Sequence, residues 1–294
     1  MKRLLATVAV AAALVGSNAS AFDPADLKKL KETNECIECD LTGADLRGAD
    51  LSDTNLFGAN LSGADLTGAY LFGADLRGAD LSDTNLSVAE LQGANLSDTN
   101  LSGAQLSYTN LTDVDLSSAD LSNATLNDAS LTRTNLSDAN LKDAKEVNSA
   151  ALNLVSSGSI EGNPILPQDY SLVKGFIVGP RAKLSNADLS DTNLFGAELY
   201  GAYLNDANLS GADLRGANLT GANLTGAYLS DTDLSGVVLR GAILHRADLS
   251  DTNLKDANLQ GAYLKGAKLD NAIMDGAILC NTTMPDGSVI NSGC

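Results

Sequence analysis

The sequence predicts an all-β solenoid in two segments, preceded by a short N-terminal capping helix. A leucine recurs at every fifth residue from Leu41 to Leu141, and the same register runs from Leu184 to Leu279 with Met274 as its only substitution. Five residues advance an α-helix by about 500°, and in a flat strand an odd spacing sends successive side chains to opposite faces. The leucines therefore share one core only if the chain turns a corner once per repeat.

A second inward position lies two residues before each leucine, where the residue is small throughout. It is alanine in most repeats, as at Ala44 and Ala59, and threonine in others, such as Thr54 and Thr84. The residue just before the leucine is mostly Asp or Asn, and the two after it are mostly Ser, Thr or Arg and then Gly or Asp. We expect these three positions to face water, with the glycines at the corner.

The segment G-A-D-L-R-G-A-D-L-S-D-T-N-L at 43–56 has the A-[D/N]-L-x-x pattern of the pentapeptide repeat family. Forty-one in-register copies cover roughly two thirds of the chain, which resembles a secreted member of that family. The resemblance implies a right-handed quadrilateral β-helix solenoid with four repeats, or 20 residues, in each coil.

Columns of residues 20 apart support this coil length. One such column alternates strictly between acid and amide: Asp40, Asn60, Asp80, Asn100, Asp120 and Asn140. Stacked coils lie about 4.8 Å apart, so alternation separates carboxylates by about 9.6 Å, which exceeds a physiological Debye length of about 8 Å.

The first 21 residues have the features of a signal peptide. Lys2 and Arg3 precede an apolar run, and small residues up to Ala21 form a cleavage site. We therefore expect export to the periplasm, the medium or a thylakoid lumen, with no membrane span in the mature chain. The predicted organisation is a signal peptide (1–21), an N-terminal cap (22–39), a first repeat segment (40–144), a non-repeat insert (145–183), a second repeat segment (184–279) and a C-terminal cap (280–294).

Four cysteines lie in two pairs, one near each end of the mature chain. Export favours disulfides, although four cysteines allow three pairings. An elongated fold would keep the two ends apart, so we expect Cys36 to pair with Cys39 and Cys280 with Cys294. The alternative for the first pair is a redox motif or half of a metal site, but no second ligand pair and no βαβ pattern accompanies it.

The segment 145–183 interrupts the register, because Leu141 and Leu184 are 43 residues apart. It contains three of the five prolines and an apolar stretch at 170–178 that predicts a strand or hairpin. Two interpretations stay open: a structural bridge that resets the register, or a protruding loop that contacts a partner.

Aromatic residues at outward positions are candidates for partner contacts, although such residues also pack along neighbouring rungs. In the second segment Tyr203 and Tyr263 share a column with Asn223 and Ile243. The candidates are Phe57, Tyr70 and Phe72 in the first segment, Tyr170 and Phe176 in the insert, and Tyr200, Tyr203 and Tyr263 in the second segment.

The sequence shows no pattern of catalytic or cofactor-binding residues. Its one histidine, His245, has no cysteine near it in sequence, and no nucleophile elbow, phosphate loop or zinc spacing occurs. We therefore predict a protein that is not an enzyme and that uses no cofactor or metal.

The formal net charge of −18 restricts the class of partner. Residues 40–143 hold 16 acidic and 4 basic side chains, and residues 183–279 hold 12 and 7. This balance disfavours nucleic acid as a direct ligand. The leading hypothesis is a non-catalytic exported scaffold that binds another exported protein, as a monomer or weak homo-oligomer. Two alternatives stay open: a DNA mimic that interacts with gyrase, as some members of the family do, and a self-associating structural rod.

Overall fold

The computed structural model describes residues 22–291 and residue 294, and over these residues the chain is a repeat β-helix with little α-helix. The predicted signal peptide, 1–21, lies outside the described residues. The chain divides into two compact units. Unit 1 contains the described part of Met1–Leu152 together with Ser159–Pro167, and unit 2 contains Asn153–Gly158 and the described part of Gln168–Cys294.

Parallel bridges stack residues that are 20 apart, the spacing that the alternating columns predict. Asp40 bridges Asn60, which bridges Asp80, and the same spacing holds in unit 2. Most leucine amides of the repeats donate to a carbonyl of the next coil, as Leu41 does to Asn60 at 2.8 Å. The amide of the residue before the leucine donates to the preceding coil, as Asn60 does to Cys39 at 2.8 Å. Asn60 therefore bonds through both its amide and its carbonyl to the preceding coil, while its neighbours Ala59 and Leu61 bond to the next coil.

Each repeat turns a corner through a residue with a left-handed backbone. Gly48, with a φ of 60°, and Asp53, with a φ of 56°, occupy this position in successive coil sides. Glycine adopts this conformation without a steric penalty, and Asp tolerates it better than most residues. The leucines and the small residues then point inward, and Leu96, for example, is completely buried.

Threonines at the small inward position bury a hydroxyl group without leaving it unpaired. The Oγ1 atom of Thr84 donates to the carbonyl of Leu61 in the preceding coil at 2.9 Å. Thr99 donates instead to the carbonyl of Leu96 three residues earlier, at 2.7 Å. Among the described residues, every buried side-chain nitrogen or oxygen has a partner. The core therefore accepts threonine at little cost.

Helix α1, Pro24–Thr33, precedes the first coil. The side chain of Asp23 accepts a hydrogen bond from the amide of Ala25 at 2.8 Å, and Asn34 ends the helix in a left-handed conformation. Leu27 and Leu30 are the buried residues of the helix. The Asp26 carboxylate accepts a hydrogen bond from the amide of Asp40 at 2.9 Å, so the helix is attached to the first coil.

The bridged coil continues past the boundary at residue 144 that the sequence predicts. Ser130 bridges Ala151 and Asn140 bridges Glu161, each 21 residues on instead of 20. A short 3₁₀ turn at Val147–Ser149 takes up the extra residue. The five-residue spacing of inward positions therefore persists, displaced by one residue along the chain. Its inward residues are Val147, Ala150, Leu152, Val155, Ser157 and Ile160, all of which are buried.

The apolar stretch of the insert forms the predicted hairpin in unit 2. Strand β1, Ser171–Val173, pairs antiparallel with β2, Phe176–Val178. Lys174 and Gly175 form the two-residue loop, and both have positive φ, as a type I′ turn requires. Val178 is buried in the core of unit 2.

A second short hairpin follows the last repeats. Strand β3, Thr282–Thr283, pairs antiparallel with β4, Val289–Ile290. The hydroxyl of Thr282 donates to the carbonyl of Leu259 at 2.7 Å. The core residues of the final coil, Leu269, Met274 and Leu279, are only partly buried, so the predicted C-terminal cap shields this coil less fully than the internal coils are shielded.

Candidate interaction surfaces

Most polar side chains of the outer positions are occupied by bonds within their own repeat. The Oδ1 atom of Asn60 accepts the amide of Ser62 at 3.0 Å, and this two-residue pattern recurs along the chain. Hydrogen bonds from the Thr42 hydroxyl and amide lower the pKa of Asp40. The Arg47 side chain lowers the pKa of Asp45 in the same way.

Amides also connect the carboxylates of successive coils. The Nδ2 atom of Asn100 donates to Asp80 at 3.0 Å, and that of Asn140 donates to Asp120 at 2.9 Å. The sequence predicts the alternation, and the structure adds that asparagine bonds to the acid of the preceding coil. These bonds place a neutral donor between carboxylates that would otherwise repel each other.

The three aromatic candidates of unit 1 do not form one group. The rings of Tyr70 and Phe72 are stacked with centroids 6.0 Å apart. Phe57 lies in another column, where the guanidinium of Arg77 lies 5.6 Å from its ring centroid. Tyr70 and Phe57 are exposed, whereas Phe72 is partly buried.

The aromatic column of unit 2 forms as the 20-residue period predicts. Bridges join Tyr203 to Asn223, Asn223 to Ile243, and Ile243 to Tyr263. The three apolar members are exposed by 39–45%. His245 lies beside the column, with its ring centroid 6.0 Å from that of Tyr263 and its Nδ1 atom 2.7 Å from the carbonyl of Lys265.

The candidates of the insert are packed more closely than the sequence suggests. Phe176 packs against the core of unit 2. The Tyr170 hydroxyl donates to the carbonyl of Pro180 at 3.1 Å, and its ring lies against Gly179, where no side chain would fit. Burial raises the pKa of Tyr170 to about 12, and Tyr200 and Asp169 act in the same direction. Both aromatic residues therefore make packing contacts within the chain.

A groove of about 460 Å³ opens in unit 2 beside the first hairpin. Its lining includes Asp169 and Tyr170 on one side, and Phe195 and Glu198 on the other. Phe195 is 65% exposed, and the guanidinium of Arg215 lies 5.6 Å from its ring centroid. The groove therefore combines an apolar surface with two carboxyl groups.

The exposed apolar residues that sequence reasoning missed include Val88, Tyr108 and Phe195, which are 50%, 60% and 65% exposed. The signal was available, because each lies at an outer position where most repeats have a polar residue or glycine. Val88 and Tyr108 occupy successive corners of one column, and both have a positive φ.

The structure pairs the four cysteines as Cys36 with Cys39 and Cys280 with Cys294. Within the described ranges no group of three or more His, Cys, Asp or Glu side chains is arranged to hold a metal ion. Nor does any helix of residues 22–291 have the length and apolar character needed to cross a membrane.

Comparison with solved structures finds other proteins of five-residue repeats. One of them is HetL, a pentapeptide repeat protein involved in heterocyst differentiation regulation in the cyanobacterium Nostoc sp. strain PCC 7120. The chain is 34% identical to HetL over 87% of this chain and 91% of that chain, with a TM-score of 0.37. It is 35% identical to a pentapeptide repeat protein of the Arabidopsis thaliana thylakoid lumen over 35% of this chain and 69% of that one, with a TM-score of 0.20. QnrB1, a plasmid-mediated fluoroquinolone resistance protein, is 23% identical over 72% of this chain and 91% of its own, with a TM-score of 0.26. A search of curated protein sequences found no match.

A family model for pentapeptide repeats matches most of the chain in eight copies. The matched ranges include 35–71, 69–107, 109–145, 181–211, 207–246, 217–256 and 247–284. They coincide with the stretches in which a buried leucine recurs every five residues and bridges recur every 20. The chain belongs to the pentapeptide repeat family.

Proposed function

We propose that the protein is an exported, non-catalytic scaffold that binds another exported protein. Its framework would be a right-handed, four-sided β-helix in two solenoid segments. Four five-residue repeats between bridged residues support four sides, and the shifted register that begins at Val147 supports a change of segment. Helix α1 and the terminal hairpin would serve as caps, as solenoids require at their open ends.

Export is supported by the sequence features of residues 1–21 and by the two disulfides, which persist in oxidising compartments. The compartment would be the periplasm, the medium or a thylakoid lumen. The pKa values of the described carboxyl groups favour a binding role over a catalytic one. Their lowered carboxyl pKa values arise from local hydrogen bonds at exposed sites and not from a buried acid–base pair in a cleft.

The groove beside the first hairpin carries the binding proposal. It is the place in unit 2 where an exposed aromatic side chain, Phe195, borders a concave surface with two carboxyl groups, Asp169 and Glu198. Strand β2 supports the wall, because its Ile177 amide donates to the Ser157 hydroxyl at 2.9 Å and Val178 is buried. The hairpin would thus be both the structural bridge and one side of the contact.

The test is site-specific photo-cross-linking in intact cells. A photoreactive residue replaces Phe195, and the control replaces Lys255, which lies three coils further along the same column. We expect one exported protein to be captured at position 195 and not at 255. Equal capture at both positions, or none at either, would contradict the proposal.

A second candidate, a DNA mimic that interacts with gyrase, is favoured by the acidic columns of unit 1. Carboxylates recur there in every second coil, as at Asp80 and Asp120, about 9.6 Å apart. The export signal opposes this role, since gyrase is cytoplasmic. A supercoiling assay with the purified chain separates the two, and strong inhibition of gyrase would favour the mimic over the exported scaffold.

A further inference from the structure

The exposed cations of unit 2 concentrate on one side of the coil. We define the basic face as five outward columns of unit 2, each made of residues 20 apart. They are the aromatic column of Tyr203 and Tyr263 and the columns of residues 200, 201, 205 and 206. Five cations lie in these columns: Arg181, Lys183, Arg240, Arg246 and Lys265. Between residues 180 and 266 of these columns Asp206 is the only acidic residue, and Asp286 follows in the C-terminal cap, although the chain as a whole is strongly acidic.

The cations of the basic face are exposed and lack acidic partners. None of the five forms an ion pair within the described chain, whereas three of the four cations elsewhere in unit 2, Lys174, Arg215 and Lys268, each contact a carboxylate. Between them lie Tyr203, Ile243 and Tyr263, exposed by 45%, 42% and 39%. Glycines fill six corners of this face, so few side chains shield the apolar column. An apolar column bordered by unpaired cations fits a partner with apolar residues bordered by acids.

Unit 1 has a surface of that composition. We define the acidic face as three columns of unit 1. They are the column of Tyr70 and Glu90, the column of Phe72, and the column of Val88 and Tyr108. Val88 and Tyr108 occupy successive corners, and Tyr70 bridges Glu90 in the next coil. Tyr70, Val88 and Tyr108 are exposed by 47%, 50% and 60%.

The unpaired charges that border the acidic face are all carboxylates. They are Asp50, Asp53, Glu90 and Asp128, and none of the four takes part in an ion pair in the described part of the chain. The nearest arginines, Arg47 and Arg133, are occupied by Asp45 and Asp113.

We propose that the basic face of unit 2 binds the acidic face of unit 1 of a second copy of this chain. Each face offers an apolar centre, and their bordering charges have opposite sign. The contact is heterologous, because two different surfaces meet. After one contact each copy keeps one unused face, so association continues until a ring closes or a filament forms. This inference goes beyond the proposed function and does not depend on it.

The test is sedimentation velocity of the purified protein at increasing concentration. We expect association at about 0.01 M salt that falls sharply at about 1 M salt, because the Debye length shortens from about 30 Å to about 3 Å. Arg240→Glu and Glu90→Lys should each abolish association. Each variant must first show the circular dichroism and thermal midpoint of the wild type.

Matched controls exist for both substitutions. Lys255→Glu makes the same charge change at the equivalent repeat position of another side of unit 2. Asp120→Lys removes a carboxylate that accepts a hydrogen bond from Asn140 at 2.9 Å, as Glu90 does from Asn110 at 2.9 Å. We expect both controls to associate as the wild type does.

Mixing the two variants gives the decisive result. Arg240→Glu keeps its acidic face and Glu90→Lys keeps its basic face, so an equimolar mixture should form a 1:1 dimer that grows no further. Monomers at every concentration and salt, equal loss in the controls, or a mixture without dimer would overturn the proposal. If the wild type is monomeric but its basic face binds an added acidic protein, the face belongs to a different partner.

Discussion

At the scale of single residues, the corner position decides what each repeat tolerates. Most corners hold Gly, Asp, Asn or Ser, but one holds Val88, which has a φ of 55°. A left-handed backbone costs an L-residue about 1–2 kcal/mol, and β-branching makes it rarer still. The strain at Val88 is local, because the side chain is half exposed and fills no core space.

We expect Val88→Gly to raise the free energy of unfolding by about 0.5–1 kcal/mol. Relief of the left-handed backbone exceeds the entropy that glycine adds to the unfolded chain. Denaturant midpoints at an unchanged m-value measure the gain. Ser87→Gly is the control, because Ser87, the residue before Val88, does not have a left-handed backbone. A gain of the same size there would refute the strain explanation.

At the scale of structural elements, the columns are the units that hold successive coils in register. Asn100 lies between Asp80 and Asp120, bridged to both, and donates to the first. The column keeps its acids apart only while every second residue is neutral.

We expect Asn100→Asp to lower the free energy of unfolding by about 1 kcal/mol. The substitution removes one hydrogen bond to a carboxylate and places three carboxylates in adjacent coils. The loss should shrink as salt is added, which thermal midpoints at two ionic strengths will show. Ser107→Asp adds the same charge in a column where residues 87 and 127 are uncharged. The column account fails if this control loses as much stability.

The two terminal elements differ in how their disulfides are protected. Cys36 and Cys39 are exposed by 0% and 2%, in the inward positions beside helix α1. Cys280 is partly buried and Cys294 is exposed. Thiol–disulfide exchange requires access of the attacking thiolate to a sulfur atom.

We therefore expect dithiothreitol to reduce the 280–294 bond first under native conditions. Timed alkylation followed by mass spectrometry of the peptides measures the order. Once reduced, β4 should lose amide protection while the coils before it keep theirs, because the bond closes a loop at the end of the chain. Reduction of the 36–39 bond at an equal or faster rate would show that helix α1 does not shield it.

At the scale of the whole molecule, charge sets the dependence of stability on pH. Bonds from Arg47 and Arg215 lower the pKa of Asp45 and Asp213 in the folded state. A lowered folded-state pKa contributes stability that is fully present above the unfolded value, near 3.8, and is lost as pH falls through the folded value. Neutralisation of the other carboxylates acts in the opposite direction, because it relieves repulsion in a chain of net charge −18.

A variant separates these two effects. Arg47→Met should lower the thermal midpoint at neutral pH, and this deficit should shrink as pH falls below about 3.8 and through the lowered folded-state pKa of Asp45. Lys142→Met makes the same charge change without removing an ion pair, and we expect no comparable pH dependence of its deficit. A deficit of Arg47→Met that is constant from neutral to acid pH would contradict the assignment.

Prediction from sequence succeeded where the same type of residue recurs in the same environment. The leucine register, the 20-residue columns and the hairpin at 170–178 follow from local patterns, and the structure has each of them. It did not detect the repeat where the pattern continues with other residues. After Leu141 the inward residues are valine, alanine, serine and isoleucine with a shift of one, so the coil continues where the sequence indicates an insert.

The sequence by itself determined the family, the period of the coil and the inward and outward positions, because burial of one leucine in every five residues leaves few other folds. Only the tertiary structure decided which outward residues form surfaces. Tyr170 and Phe176 are aromatic like Tyr203, but Tyr170 packs beside the hairpin and Phe176, within it, packs against the core, whereas Tyr203 remains exposed. The physical reason is that a surface depends on neighbours from other coils and loops, and on which charges are already paired. Five unpaired cations around one apolar column are visible only after the coils are stacked.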